Sequence, residues 1–201
     1  METARRDRHN NWGHYAGINW IIPQQPFGPS YATFAAHIAN TGNLLIWSHN
    51  IQRIDIGNIE IIKCNGPHKN HSGLAVVVNS DDNALGKTLL PGDAAYQYIL
   101  REDILLNGLV ATHHGAQFPI NNAPVPNTQN GCIAYSFGIT NYGHPHVDAV
   151  NAYVQNGWGT IPGDRLRTHQ DGHISFRRPP PLNVHHNCGN PNCDLANVFY
   201  F

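Results

Sequence analysis

The stretch "IQRIDIGNIEIIKC" (51–64) alternates apolar and polar residues on both sides of Gly57-Asn58. A period of two is the pattern of a half-buried strand, and a glycine–asparagine pair between two such runs signals a tight antiparallel hairpin. Further short apolar runs surround it. "NWIIP" (19–23) reads as a short strand ended by Pro23, and "NLLIW" (43–47) as a buried strand. "GLAVVVNSDDNALGKTLLPGD" (73–93) reads as a strand, a polar turn and a second strand ending at Asp93. "GLVATHHG" (108–115), "GCIAYSFG" (131–138) and "DGHISF" (171–176) continue the series.

Helical patterns are fewer. "SYATFAAHIANTG" (30–42) offers Ser30 as a cap, Tyr31, Phe34, Ala35 and Ile38 on one face, and Gly42 after its end. "AAYQYILRE" (94–102) reads as a short helix. "HPHVDAVNAYVQNG" (144–157) places Pro145 near a first turn, Val147, Val150 and Val154 on one face, and Gly157 at the C-cap. Strands outnumber helices and many neighbours are tightly joined, unlike the regular βαβ alternation of a doubly wound sheet. The expectation is a mixed α/β (α+β) protein: mixed sheets covered by a few helices, in one main domain over 1–177. The tail 178–201 is proline-rich at first and then contains histidine and cysteine.

Composition narrows the function classes. Net charge is -1 and charged residues are only 12% of the 201, which argues against a wide nucleic-acid footprint. No apolar run reaches the ~18 residues of a spanning helix, and no signal-peptide pattern is present. A soluble, cytoplasmic protein with no membrane partner is expected. The 14 histidines are the unusual feature, because neutral imidazole is the commonest metal-ligand side chain. Cys64 and Cys132 lie singly in apolar runs and read as buried thiols, while Cys188 and Cys193 share the tail. This spacing is not a disulfide framework.

Three stretches put polar or metal-binding side chains at strand ends. They are "LLPGD" with Asp93, "LVATHHG" with His113 and His114, and "SFGITNYGHPH" with His144 and His146. Strand ends are rigid and face a sheet rim, which suits a preorganised site. An aspartate and two or three histidines converging there would suit zinc or a similar ion. Each stretch alone is a weak signal; their order and spacing together carry the argument.

"LLPGDAAY", "LVATHHGA", "AYSFGITNYGHPH" and "RTHQDGHISF" occur in the order found in metallo-β-lactamase-fold hydrolases. They most resemble the hydrolase domain of the competence protein ComEC and its relatives, over about residues 9–177. "HKNHSGLAVVV" before "LLPGD" also resembles the Asn/Ser-containing turn that opens the preceding strand there. The resemblance implies an αββα sandwich with a metal centre at one rim. The family's main metal motif, H-x-[HD]-x-D-H, lies upstream of the others, and "HNNWGH" falls in its place. His9 and His14 match its two ends, Asn11 stands where a middle ligand belongs, and Gly13 replaces the aspartate. Only eight residues precede His9, so the domain is expected to lack its first strands. A partner chain or second copy would complete the sheet, whose edge is otherwise unpaired.

The resemblance further implies zinc or manganese, as one or two ions, and a phosphodiester or other small-molecule substrate, nucleic acid included. Carried over residue by residue, Asp93 matches the bridging carboxylate and His114 the late histidine ligand, with His113 as its alternative. His144 matches a histidine that contacts the phosphate or protonates the leaving oxygen. Asparagine is a poor zinc ligand and glycine supplies none, so weakened activity is expected. Two other readings stand beside this one. The chain is a non-catalytic fragment or binding module of the same fold, or it is a zinc-binding interaction module built on His185, His186, Cys188 and Cys193 of "HHNCGNPNC".

Overall fold

Gly57 and Asn58 reverse the chain as the alternation requires: Ile56 pairs with Ile59 across them, and Gly57 has φ +58°. That is the left-handed region, where a Cβ is strained and glycine is not. The computed structural model describes residues 18–25, 28–40, 44–48, 52–80, 86–99, 105–117, 122–127, 131–137, 143–160 and the strand 165–167. The chain divides into two compact units, Met1–Gln52 and Arg53–Phe201.

In the first unit, β1 (Trp20–Pro23) and β2 (Leu44–Trp47) pair in parallel and are joined through α1 (Pro29–Asn40). The helix starts at Pro29, one residue before the expected cap. Proline suits a first helical position because its missing N–H needs no partner there, and Gly28 O accepts from Tyr31 N and Ala32 N. Ser30 therefore lies inside the helix. The expectation of a buried "NLLIW" strand also needs correction. Trp47 is fully buried, whereas Leu45 and Ile46 are 46% and 54% exposed.

The second unit is built on one sheet of seven strands, in the order β3-β4-β5-β6-β7-β8-β9. β3 (Arg53–Ile56), β4 (Ile59–Lys63), β5 (Leu74–Asn79) and β6 (Lys87–Leu90) form an antiparallel meander. From β6 onward the pairing is parallel, through β7 (Leu106–Val110), β8 (Cys132–Tyr135) and β9 (Arg165–Arg167). Parallel neighbours need long crossovers. The one after β8 contains α2 (Val147–Gln155). Val77, Leu89, Leu109, Ile133, Tyr135, Tyr153 and Trp158 form the core between sheet and helix, with Cys64 buried among them. Cys132 is buried as well, as expected of both thiols.

Two helical expectations change. Over its described residues, 94–99, "AAYQYILRE" forms a 3-10 turn at Tyr96–Tyr98, after which Ile99 is extended and bridges to Cys64 beside β4. α2 buries Ala149, Ala152 and Tyr153, while Val147 is exposed; small residues let the helix sit close to the sheet. "DGHISF" and the tail 178–201 lie outside the described residues. β9 was not foreseen. The chain is thus a mixed α/β protein, and among the described residues no helix is long and apolar enough to cross a membrane.

Candidate functional site

The carboxyl ends of β6, β7 and β8 lie side by side because these strands run parallel. Ligands of open α/β sheets bind beyond such ends. The chain leaves β6 through Pro91, Gly92 and Asp93, with Gly92 at φ +59° and Ala94 N bonded to Pro91 O at 3.2 Å. It leaves β7 through a tight turn, Thr112–Gly115. His113 N donates to Gly92 O at 2.9 Å, which ties the second turn to the first.

His113 and His114 both have positive φ, 47° and 61°. Such backbone costs about 1–3 kcal/mol per non-glycine residue and persists only where its surroundings enforce it. Here several bonds enforce it. Ala116 N donates to His113 O, His146 N donates to Gly115 O, and His114 Nδ1 bonds to Ser136 O just past β8. A carbonyl only accepts, so Nδ1 carries the hydrogen and Nε2 of neutral His114 presents a bare lone pair. A backbone carbonyl behind Nδ1 is the usual support for a ligand histidine.

That Nε2 faces Asp93 Oδ1 at 3.9 Å. Two acceptors turned toward one another leave a place for a proton or a cation. A tetrahedral ion with bonds of ~2 Å holds its donors ~3.4 Å apart, so the pair needs to close slightly to share one. The ring of His144 completes a near-equilateral triangle with the other two imidazoles. Its centroid is 6.2 Å from that of His114 and 6.3 Å from that of His113, which are themselves 6.2 Å apart. Burial holds the His144 pKa below the ordinary imidazole value, and the neighbouring His114, His113 and His146 lower it further. The neutral ring is therefore favoured. His146 does something else: its Nδ1 accepts from Asp148 N at 3.3 Å and caps α2.

Asp93, His114, His113 and His144 are thus brought to one rim. Among the described residues, no three His, Cys, Asp or Glu side chains are spaced to hold one metal ion. His9, His14, His185, His186, Cys188 and Cys193 lie outside the described residues. The donor chemistry of Asp93 and His114 fits one edge of a zinc or manganese site. In comparisons with known proteins, the chain matches no family model, no curated protein and no solved structure.

Residues beneath this rim were missed in the sequence. Tyr96 and Tyr153 share a buried hydroxyl–hydroxyl hydrogen bond of 2.7 Å, and Thr112 N points at both oxygens, at 3.3 and 3.2 Å. Burial, then the charge of Tyr96 and its hydrogen bond, raise the Tyr153 pKa, so its hydroxyl stays protonated. Nothing in local periodicity marks such a pairing, because Tyr96 and Tyr153 stand 57 residues apart.

Proposed function

We propose that the chain is a metal-dependent hydrolase of the metallo-β-lactamase fold, acting on phosphodiester bonds with weakened activity. The observation that carries this reading is Asp93 facing His114 Nε2 at the carboxyl ends of adjacent parallel strands. It agrees with the motif order from which the resemblance to ComEC-like domains was drawn, and an αββα sandwich is the fold that accompanies it. Asp93 and His114, or His113 in its place, would hold the ion, with His14 and His9 the further ligands implied by the motif. A zinc or manganese ion supplies a water acidic enough to act near neutral pH and offsets charge on phosphoryl oxygens. The Ser136 carbonyl fixes the His114 tautomer. His144, whose neutral form burial favours, would hydrogen-bond a substrate oxygen and exchange a proton with it. The net charge of -1 favours a small diester over a long nucleic-acid strand.

A second reading, a non-catalytic binding module of this fold, is favoured by one observation: Gly13 and Asn11 stand where the motif needs ligands. The two readings separate in one experiment. Chain purified without chelator is assayed on a chromogenic phosphodiester with added zinc or manganese, beside Asp93→Ala and His114→Ala. The hydrolase reading expects slow, metal-dependent turnover that both changes abolish. Turnover surviving both changes would place the chemistry elsewhere, and no turnover with no metal uptake would leave the binding module.

A further inference from the structure

Thr112 is 3% exposed and is bonded at both its hydroxyl and its backbone N–H. Oγ1 donates to Ala94 O at 2.6 Å and lies 3.4 Å from Gly92 O. Those two carbonyls flank Asp93 in the chain. The backbone N–H meets the Tyr96 and Tyr153 hydroxyls. Tyr96 follows Asp93 in the same connection, and Tyr153 lies on α2, whose start His146 caps. The next residue in the chain, His113, bonds Gly92 O through its own N–H. Three segments therefore meet on one side chain and one peptide: the Asp93 turn, the strained His113-His114 turn, and the helix behind His144.

We infer that Thr112 is a positioning residue, whose hydroxyl clamps the turn carrying Asp93 to the turn carrying His114 and so sets the gap between the two side chains. Both of those side chains are about half exposed and no direct hydrogen bond joins them, so their separation is set by the backbones beneath and by the Ser136 carbonyl that holds the His114 ring. The Ala94 carbonyl is that of a buried residue, and a buried acceptor that loses its donor is costly to leave unpaired. Valine has the shape of threonine without the donor; serine keeps the donor without the methyl. The consequence for catalysis rests on the hydrolase reading above, but the clamp itself does not.

The test uses the full chain and two readouts. Amide hydrogen exchange by NMR reports the clamp through the His113 N–H bond to Gly92 O. In Thr112→Val this amide is expected to exchange about tenfold faster, the equivalent of one lost hydrogen bond. Thr112→Ser should stay within about twofold of wild type, and amides of the β5 and β7 ladders should keep their protection in both. Unchanged exchange at His113 in Thr112→Val, or equal loss in Thr112→Ser, overturns the proposal. Should valine overpack the site and loosen the whole sheet, Thr112→Ala removes the hydroxyl without added bulk and is judged by the same criterion. Zinc or manganese titration is the second readout. Weakened uptake in Thr112→Val with recovery in Thr112→Ser supports the positioning role, and full wild-type uptake in Thr112→Val overturns it. If wild type takes up no metal, the hydrolase reading fails, and the exchange result still decides whether Thr112 clamps the two turns.

Discussion

His114 Nε2 stands 3.9 Å from Asp93 Oδ1, with the two side chains 51% and 45% exposed. An exposed pair of this kind contributes about 0–1 kcal/mol to folding. The pair is therefore worth little to the fold by itself. Asp93→Ala and His114→Ala should each leave the melting temperature of metal-free protein nearly unchanged. With zinc at a hundredfold excess over its dissociation constant, wild type gains about 2.7 kcal/mol by mass action, a rise of several degrees that chelator reverses. Both substitutions should erase that rise. A zinc shift that persists in both would move the bound ion away from this rim, toward ligands such as Cys188 and Cys193.

Gly115 directly follows His114 and sits at φ +87°, and a Cβ there would come 2.7 Å from Pro145 Cβ and 3.0 Å from Tyr135 Cδ1. Neither neighbour is the free end of a flexible chain. Gly115→Ala should therefore cost about 1–3 kcal/mol in urea unfolding, combining left-handed strain with overpacking. It should also push the His114 turn away from Pro145 and His144. Loss of metal uptake larger than the loss in stability explains is the expected sign. A fully stable Gly115→Ala variant would mean that this turn repacks freely.

Glu60 is 7% exposed and sits between Lys87, Asn79 and Arg53. Burial raises its pKa, but hydrogen bonds from Lys87 and Asn79 and the charges of Lys87 and Arg53 outweigh it and hold the carboxyl below its ordinary 4.5. The folded state therefore binds fewer protons than the unfolded state near that pH. The resulting stability is fully present above the unfolded value and is lost as pH falls through the folded one. Glu60→Gln should cost about 1–2 kcal/mol at pH 7, less than a fully buried pair because Lys87 is partly exposed. The difference from wild type should shrink in urea melts taken below pH 4. A pH-independent difference would assign the cost to packing alone.

The hairpin at Gly57-Asn58, the strands β5 to β8 and the helix α2 were legible because each is a local pattern of period two or 3.6 bounded by turn residues. Asp93 and His114 stand 3.9 Å apart past successive parallel strands, because such strands bring their carboxyl ends to one rim. What was not legible is non-local. The burial of Trp47 beside exposed Leu45 and Ile46 depends on what covers each face of β2, which alternation within "NLLIW" does not encode. "AAYQYILRE" has residues compatible with a helix, yet pairing with Cys64 draws Ile99 into an extended form. Thr112 looked like a strand residue ahead of two histidines. Its role arises from carbonyls at positions 92 and 94 and hydroxyls at 96 and 153, which only the fold assembles.

The segment "HNNWGH" supplies the last prediction, which rests on the resemblance to the H-x-[HD]-x-D-H motif. His9 and His14 retain imidazoles at its ends, while Asn11 and Gly13 offer no carboxylate. On the hydrolase reading, Asp93 and His114 with one further histidine would make a three-ligand site, enough for a single ion with an open position. On that reading a second ion would lack its ligands, and the water would lack a carboxylate to orient it. Wild type should therefore turn over a chromogenic phosphodiester slowly or undetectably with zinc or manganese. The double change Asn11→Asp, Gly13→Asp should raise the rate, because it restores both a ligand and an orienting base. Adding Asp93→Ala to that double variant should abolish the gain, since the same ion must be shared. Metal content per chain gives a check independent of turnover, rising in the double variant and falling again with Asp93→Ala. If the double variant binds no more metal and works no faster, "HNNWGH" is no remnant of that motif, and the ligands facing Asp93 and His114 lie elsewhere in the chain.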